Sequence, residues 1–157
     1  MRSKTMSNRQ KKLKKIANRQ REKNVYLTEI EKHTLGIENT LESPYLVLKY
    51  YQPDFECFSS WNNSELTAFS QFILKLKKSQ WTDIYKTGGA QGDKTGLGYS
   101  KHKDRNKLPK HPELDNISQD ITFFELRVTQ KARVHGFRVK DAFFLVWLDR
   151  EHRIYDM

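Results

Sequence analysis

The chain has 157 residues and a formal net charge of +10. Its length suggests one domain with extensions, and its single cysteine, Cys57, excludes an internal disulfide framework and a zinc site built from several cysteines. No apolar run approaches the roughly 20 residues that span a bilayer, so no membrane partner is predicted for the body of the chain.

Positive charge is concentrated in residues 1–24. This segment has ten Lys or Arg residues and one Glu, so it carries +9 and leaves +1 for the other 133 positions. Such a run attracts polyanions and gains affinity by releasing their counterions. We expect a basic arm, helical or disordered, that contacts nucleic acid; a solubility tail and contact with an anionic membrane surface are the alternatives. The expected phosphate contacts in the arm are Arg9, Lys11, Lys12, Lys14, Lys15, Arg19 and Arg21.

The composition of the arm also indicates the cellular compartment of the protein. Leu13 and Ile16 are its only large aliphatic residues, so it lacks the apolar core of a signal peptide. A single cysteine suits a reducing environment. A cytoplasmic protein is therefore expected.

Residues 25–157 are predicted to form a single α+β domain. Residues 25–44 are amphipathic and suggest a helical segment that Gly36 interrupts. Residues 45–51 are aromatic and β-branched and lie between two prolines, which predicts a strand.

The clearest predicted helix spans residues 62–78. Its apolar side chains recur at spacings of three and four, which forms one stripe. Asn63 or Ser64 is expected to cap it, and Glu65 suits its first turn. Trp61 and Trp81 flank this helix and are expected to close the core against the sheet.

Residues 86–107 are predicted to be a flexible loop. Five of the seven glycines lie in this stretch among several basic side chains, but no Gly-Lys-Ser/Thr sequence ends the run, so it is not a phosphate loop. Loops of this length are usually functional or disordered. The loop residues expected to hold phosphates are Lys94, Lys101, Lys103 and Arg105.

The last third predicts three consecutive strands. Residues 121–128, 133–139 and 142–149 are rich in β-branched and aromatic side chains, and Lys140-Asp141 is a tight hairpin connection. The predicted fold class is α+β, with a small twisted antiparallel sheet of one strand and this three-stranded meander, packed helices, and the basic arm.

The meander carries an unusual number of polar residues for core strands. Glu125 and Arg127 share one face of their strand by the period-two alternation, as do Arg133 and His135 in the next strand. A further polar group closes the third strand: Asp149, Arg150, His152, Arg153 and Tyr155. Convergence of these side chains depends on the strand register, which the sequence does not determine.

If they converge, the set suits attack of an RNA 2′-hydroxyl on the neighbouring phosphate. A base removes the hydroxyl proton, an acid protonates the leaving oxygen, and arginines stabilise the phosphorane. An imidazole can be acid or base, and Tyr155 could donate a proton or stack on a base. The alternative is that Glu125, Arg127 and Arg133 form cross-strand ion pairs and that His135 is structural.

Neither a metal site nor a cofactor is predicted. The five histidines have no regular metal-ligand spacing, and no serine lies in a nucleophile-elbow pattern. Cys57 lies beside Phe55 and Phe58, so a packed thiol is expected there.

The C-terminal half resembles the RelE/ParE-like toxin superfamily, within it the RNA-cleaving toxins of the RelE and YoeB type. The resembling stretches are HPEL (111–114), FFELRV (123–128), ARVHGFRV (132–139) and AFFLVWLDREHRIY (142–155). The resemblance implies that Arg127 and Arg133 bind phosphate and that His152 and Tyr155 are the terminal acid and stacking residues. Glu113 or Glu125 would be the base, and the two stay equal alternatives.

The predicted function is that of an RNA-cleaving toxin, a metal-independent endoribonuclease acting on free or ribosome-bound mRNA. An antitoxin protein that covers the basic cleft with acidic residues is the expected partner. Two alternatives belong to other classes. One is a non-catalytic protein that binds RNA, DNA or the ribosome; the other is a toxin that blocks a protein such as gyrase.

Overall fold

The computed structural model describes residues 43–88 and 96–154. The chain divides into two compact units, residues 1–41 and 42–157, so both described ranges belong to the second unit. The predicted basic arm and the predicted helical segment over 25–44 lie almost entirely outside the described residues.

A five-stranded sheet organises the described unit. Its strands are β1 (Tyr45–Val47), β2 (Ser100–Lys101), β3 (Phe123–Arg127), β4 (Arg133–Val139) and β5 (Ala142–Asp149). They lie in the order β1-β5-β4-β3-β2. The fold is α+β, as predicted, and the three-stranded meander is present.

The sheet is mixed, which corrects the prediction of an antiparallel sheet. β3, β4 and β5 pair antiparallel, as does the short β2 with β3, but β1 pairs with β5 in parallel. The parallel pairing is possible because the chain between β1 and β5 is long enough to hold a crossover. β2 itself lies inside the segment predicted to be a loop.

Two helices cover one face of the sheet: α1 (Asn63–Lys78) and α2 (Trp81–Lys86). The N-cap of α1 is Asn62, which corrects the prediction of Asn63 or Ser64. Asn62 Oδ1 accepts from the Glu65 amide at 2.9 Å, and Glu65 Oε2 accepts from the Asn62 amide at 2.9 Å, which is a capping box. α2 is not among the predicted elements, because its six residues are too few for a helical period to show.

The core is divided by the sheet into two layers. The apolar stripe of α1 packs on one face together with both flanking tryptophans, as predicted: Trp61, Phe69, Phe72, Leu76, Trp81, Phe124, Leu126, Val134, Phe143, Leu145 and Leu148. The other face packs against the irregular segment 105–118 and the chain end: Leu108, Leu114, Ile117, Phe123, Phe137, Phe144, Val146, Trp147 and Ile154.

The register of β4 on β5 shifts between His135 and Gly136. A Cβ at Gly136 would lie 1.9 Å from the Phe144 carbonyl oxygen, so only glycine allows the two strands to approach at this bulge. The bulge changes the relation between the strands on either side of it. His135 pairs with Trp147 beyond the shift.

Cys57 differs from its prediction. The side chain is exposed instead of packed. Hydrogen bonds from the Ser59 side chain and backbone lower the pKa of the thiol.

Within residues 43–88 and 96–154, no helix has the length and apolar character needed to cross a membrane.

A histidine–carboxylate cluster at one end of the sheet

Strand register and the turn after β5 bring six polar side chains together at one end of the sheet. Glu125 in β3 lies opposite His135 in β4, and Arg127 lies opposite Arg133. Ser100 in β2 also lies opposite Glu125, so alternation places His102, two residues further, on the same face. The group is called the polar cluster below: His102, Glu125, Arg133, His135, Asp149 and His152.

Asp149, at the end of β5, anchors the polar cluster and is fully buried. Its Oδ2 accepts from His135 Nε2 at 3.0 Å and from the Ile154 amide at 2.9 Å, while Oδ1 accepts from the Arg153 amide at 2.7 Å. Burial alone would raise the pKa of this carboxyl, but these hydrogen bonds outweigh burial and hold its pKa below the usual value. Asp149 is therefore an ionised acceptor that organises the turn after β5.

The bond to Asp149 determines the tautomer of His135. Because an ionised carboxylate only accepts, His135 Nε2 carries a proton and donates to Asp149. The other ring nitrogen, Nδ1, lies 2.9 Å from His102 Nε2, so the two rings share one hydrogen bond. Burial lowers the pKa of His102 to about 4, and the neighbouring His135 and His152 add to this effect. His102 is therefore neutral near pH 7.

Glu125 contacts several members of the polar cluster and is 4% exposed. His152 Nε2 is 3.0 Å from its Oε2 and 3.2 Å from its Oε1, and Arg133 Nε is 3.5 Å from Oε1. His135 Nδ1 is 3.9 Å from Oε2. A buried carboxylate is thus surrounded by one guanidinium and two imidazoles, as a buried charge requires.

His152 has a left-handed backbone, with φ of 58°. Histidine adopts this conformation more readily than most residues, and non-glycine residues that hold it are concentrated at functional sites. The turn is held by Asp149, whose carbonyl accepts from the His152 amide at 3.4 Å. The His152 side chain is 27% exposed, so its ring contacts both the buried Glu125 and the solvent.

A second buried carboxylate, that of Glu56, also stabilises the turn that carries His152. Glu56, 7% exposed, accepts from the Trp61 indole and from the Arg150 amide, both at 2.7 Å. The Arg153 guanidinium also lies 3.4 Å from Glu56 and stacks over Phe55. The turn that carries His152 is therefore held by two buried carboxylates, Asp149 and Glu56.

The two predicted phosphate-binding arginines differ in what they contact. Arg133 is buried and donates from one terminal nitrogen to the carbonyls of Thr129, Gln130 and Ala132. These bonds stabilise the turn between β3 and β4. Arg127 is half-buried and packs against Gly98, whose φ is 59°.

Several other predicted site residues lie elsewhere. The Glu113 carboxylate accepts from Gln52 Nε2 at 2.7 Å, apart from the polar cluster. Arg105 donates to the carbonyls of Ser118, Leu114 and Ile117 and stacks over Phe123, so it stabilises the segment 105–118. Lys101 and Lys103 are exposed. The predicted residues outside the described ranges are Arg9, Lys11, Lys12, Lys14, Lys15, Arg19, Arg21, Lys94 and Tyr155.

Sequence reasoning missed the part played by His102 and by the buried acceptor Asp149. His102 follows a two-residue strand that no periodicity marks. Asp149 was grouped with the polar end of β5, but only the turn that follows it shows its carboxylate facing inward. A polar residue at the end of an otherwise apolar strand is the one signal that could have drawn attention to it.

Comparison of the chain with models of protein families, with curated proteins and with solved structures finds no match. The resemblance to the RelE/ParE-like superfamily thus stays a prediction.

Proposed function

We propose that this protein cleaves RNA and that His152 is the proton-transferring residue. The observation that supports this most directly is the environment of His152. Its ring is partly exposed, contacts the buried Glu125 carboxylate at 3.0 Å, and lies in a turn held by Asp149. An imidazole that a carboxylate orients at the surface is suited to general acid–base catalysis.

In RNA, the nucleophile is part of the substrate: it is the 2′-hydroxyl next to the phosphate. Removal of a proton from the 2′-hydroxyl lets that oxygen attack the adjacent phosphorus, and the bond to the 5′-oxygen of the next nucleotide breaks as that oxygen takes up a proton from an acid. His152 serves one of these two proton transfers. The buried Glu125 positions the ring. No base is assigned, because Glu113 contacts Gln52 instead of the polar cluster, and Glu125, the other predicted candidate, is buried in contact with His152 and Arg133.

Positive charge near the polar cluster supports a polyanionic substrate. Arg127 lies beside the cluster on β3, and Arg153, with half of its side chain exposed, follows His152 directly. Lys101 precedes His102 and is exposed. Together with the +9 charge of residues 1–24, these cations favour binding of a phosphodiester backbone. The resemblance to toxins adds mRNA as the substrate and an acidic antitoxin as the partner to this proposal.

The proposal is tested with purified full-length protein and a labelled RNA. We expect cleavage that leaves a 2′,3′-cyclic phosphate, no cleavage when the reacting 2′-hydroxyl is replaced by hydrogen, and a loss of about 100-fold or more in His152→Gln, the usual weight of a general acid or base. His111→Gln is the matched control, because His111 is also half-buried but contacts Asp54 and the Glu113 amide. Equal rates in both variants contradict the proposal.

Non-catalytic RNA binding is the second candidate, and the bonding of Arg133 favours it. The guanidinium donates to three carbonyls of its own turn and contacts Glu125, so the polar cluster also has a structural use. Under this alternative, His152→Gln leaves RNA affinity unchanged and no cyclic phosphate is formed by either protein. Removal of residues 1–24 then abolishes binding.

A further inference from the structure

We propose that His102, Glu125 and His135 form a binding site for a divalent transition-metal ion, with Zn²⁺ as the best fit. One ligand atom from each of the three residues lies within 4.8 Å of the other two. The ligands come from three adjacent strands or strand ends, β2, β3 and β4, so the sheet holds them in a fixed arrangement. Two imidazoles and one carboxylate are a donor set that zinc accepts.

The spacing of the donor atoms fits one ion. Bonds of about 2.0–2.2 Å in a tetrahedron place neighbouring donors roughly 3.4 Å apart. In this structure, His102 Nε2 and His135 Nδ1 are 2.9 Å apart, and His135 Nδ1 and Glu125 Oε2 are 3.9 Å apart. The two distances lie on either side of the required value, and the third pair of ligand atoms, from His102 and Glu125, lies within 4.8 Å, so side-chain adjustments complete the geometry.

Asp149 supplies the support that metal-bound histidines commonly have. A coordinating imidazole almost always donates its other N–H to a carboxylate or carbonyl, which fixes the ring and raises its basicity. His135 does this, with Nε2 3.0 Å from a fully buried carboxylate. The remaining lone pair, on Nδ1, consequently faces His102 and Glu125.

The contacts around Glu125 also leave room for an ion. Arg133 approaches Oε1, whereas Oε2 contacts His152 Nε2 at 3.0 Å and is also the oxygen on the side of His135; a carboxylate oxygen has two lone pairs, so one stays for an ion. In the protein alone, one hydrogen bond joins His102 to His135; the metal replaces that bond with two coordinate bonds, and the proton between the two rings moves to His102 Nδ1 or to solvent. Three protein ligands leave a fourth position for water, as in catalytic zinc sites.

The proposed metal site shares Glu125 with the proposed RNA cleavage, but metal binding is measured without RNA. The sequence analysis predicted no metal because the ligands are 23 and 10 residues apart along the chain, which matches no ligand spacing motif. Pairing of β2 with β3 and of β3 with β4 brings the three ligands close together in space. If both proposals hold, the protein binds a metal ion next to His152, and the prediction of metal-independent RNA cleavage must be tested again with the ion present.

The experiment uses the full chain, freed of metal by a chelator and then titrated with Zn²⁺. We expect one bound ion per chain by elemental analysis and calorimetry, and a tetrahedral visible spectrum when Co²⁺ is used instead. His102→Gln, at a half-buried position, should weaken binding at least 100-fold, and Asp149→Asn should weaken it about 10–100-fold. His111→Gln should bind as the unchanged protein does.

Two results overturn the proposal. One is the absence of saturable Zn²⁺ binding by the unchanged protein. The other is binding of the same stoichiometry and affinity in His102→Gln, which would place the ion elsewhere. Circular dichroism of His102→Gln establishes that it is folded before metal is added. Either result leaves the cleavage experiment with His152→Gln unaffected, so the two proposals fail separately.

Discussion

Asp149→Asn is the substitution that tests the polar cluster as a structural unit. The carboxylate accepts three hydrogen bonds with two oxygens: the Arg153 amide binds Oδ1, and the Ile154 amide and His135 Nε2 bind Oδ2. Asparagine has almost the same shape but only one oxygen. Whichever way its amide turns, the NH₂ group faces at least one donor in a site with no exposed surface.

The expected cost follows from the groups left without an acceptor. If the amide oxygen takes the place of Oδ2, the Arg153 amide loses its acceptor, and one buried unsatisfied donor costs about 1–3 kcal/mol. Loss of the charge also weakens the remaining bonds, since charge-assisted hydrogen bonds are about twice as strong as neutral ones. A decrease of about 3 kcal/mol in the free energy of unfolding is therefore expected, within the range for a broken buried polar network.

Urea unfolding followed by tryptophan fluorescence measures this decrease, because Trp61, Trp81 and Trp147 are all buried. The measurement is made on chelator-treated protein, so that metal affinity does not enter the comparison. Asp120→Asn is the control: Asp120 is exposed, and a change of less than about 0.5 kcal/mol is expected for a surface position. A loss below about 1 kcal/mol in Asp149→Asn would refute the reasoning, because it would mean that the buried donors find other acceptors.

Three further changes test the fold and its exposed thiol. Gly136→Ala places a methyl group against a β5 carbonyl, so we expect a loss above about 3 kcal/mol or insoluble protein on expression; a soluble variant with unchanged urea midpoint would contradict the bulge. Asn62→Ala removes the capping box of α1 and should cost about 1 kcal/mol in urea unfolding, whereas Asn63→Ala should cost much less. Ser59→Ala removes a hydrogen bond that lowers the pKa of the Cys57 thiol. The pH profile of its reaction with a disulfide reagent should therefore move to higher pH, and an unmoved profile would exclude Ser59 as the cause.

The elements with a clear hydrophobic period were predicted closely. β4 and β5 have the predicted bounds, 133–139 and 142–149, and α1 differs from its prediction by one residue at its start. Local pattern suffices there because α1 has one continuous apolar stripe and β5 is apolar along almost its whole length. β1 is shorter than predicted, at three residues, since only that part reaches a partner strand. β2 was missed because its two residues are ordered by pairing with β3, which lies more than twenty positions away.

The sequence by itself determined the composition of this protein: a basic segment, one amphipathic helix, and a meander rich in arginine, histidine and carboxylates. These properties depend on neighbouring residues, and neighbours along the chain are visible in the sequence. Only the tertiary structure decided which polar side chains meet. His102 reaches His135 through the register of a two-residue strand, and Asp149 faces inward because the following turn supplies its donors. Register is a long-range property, because a shift of one residue would move every one of these side chains to the opposite face of the sheet.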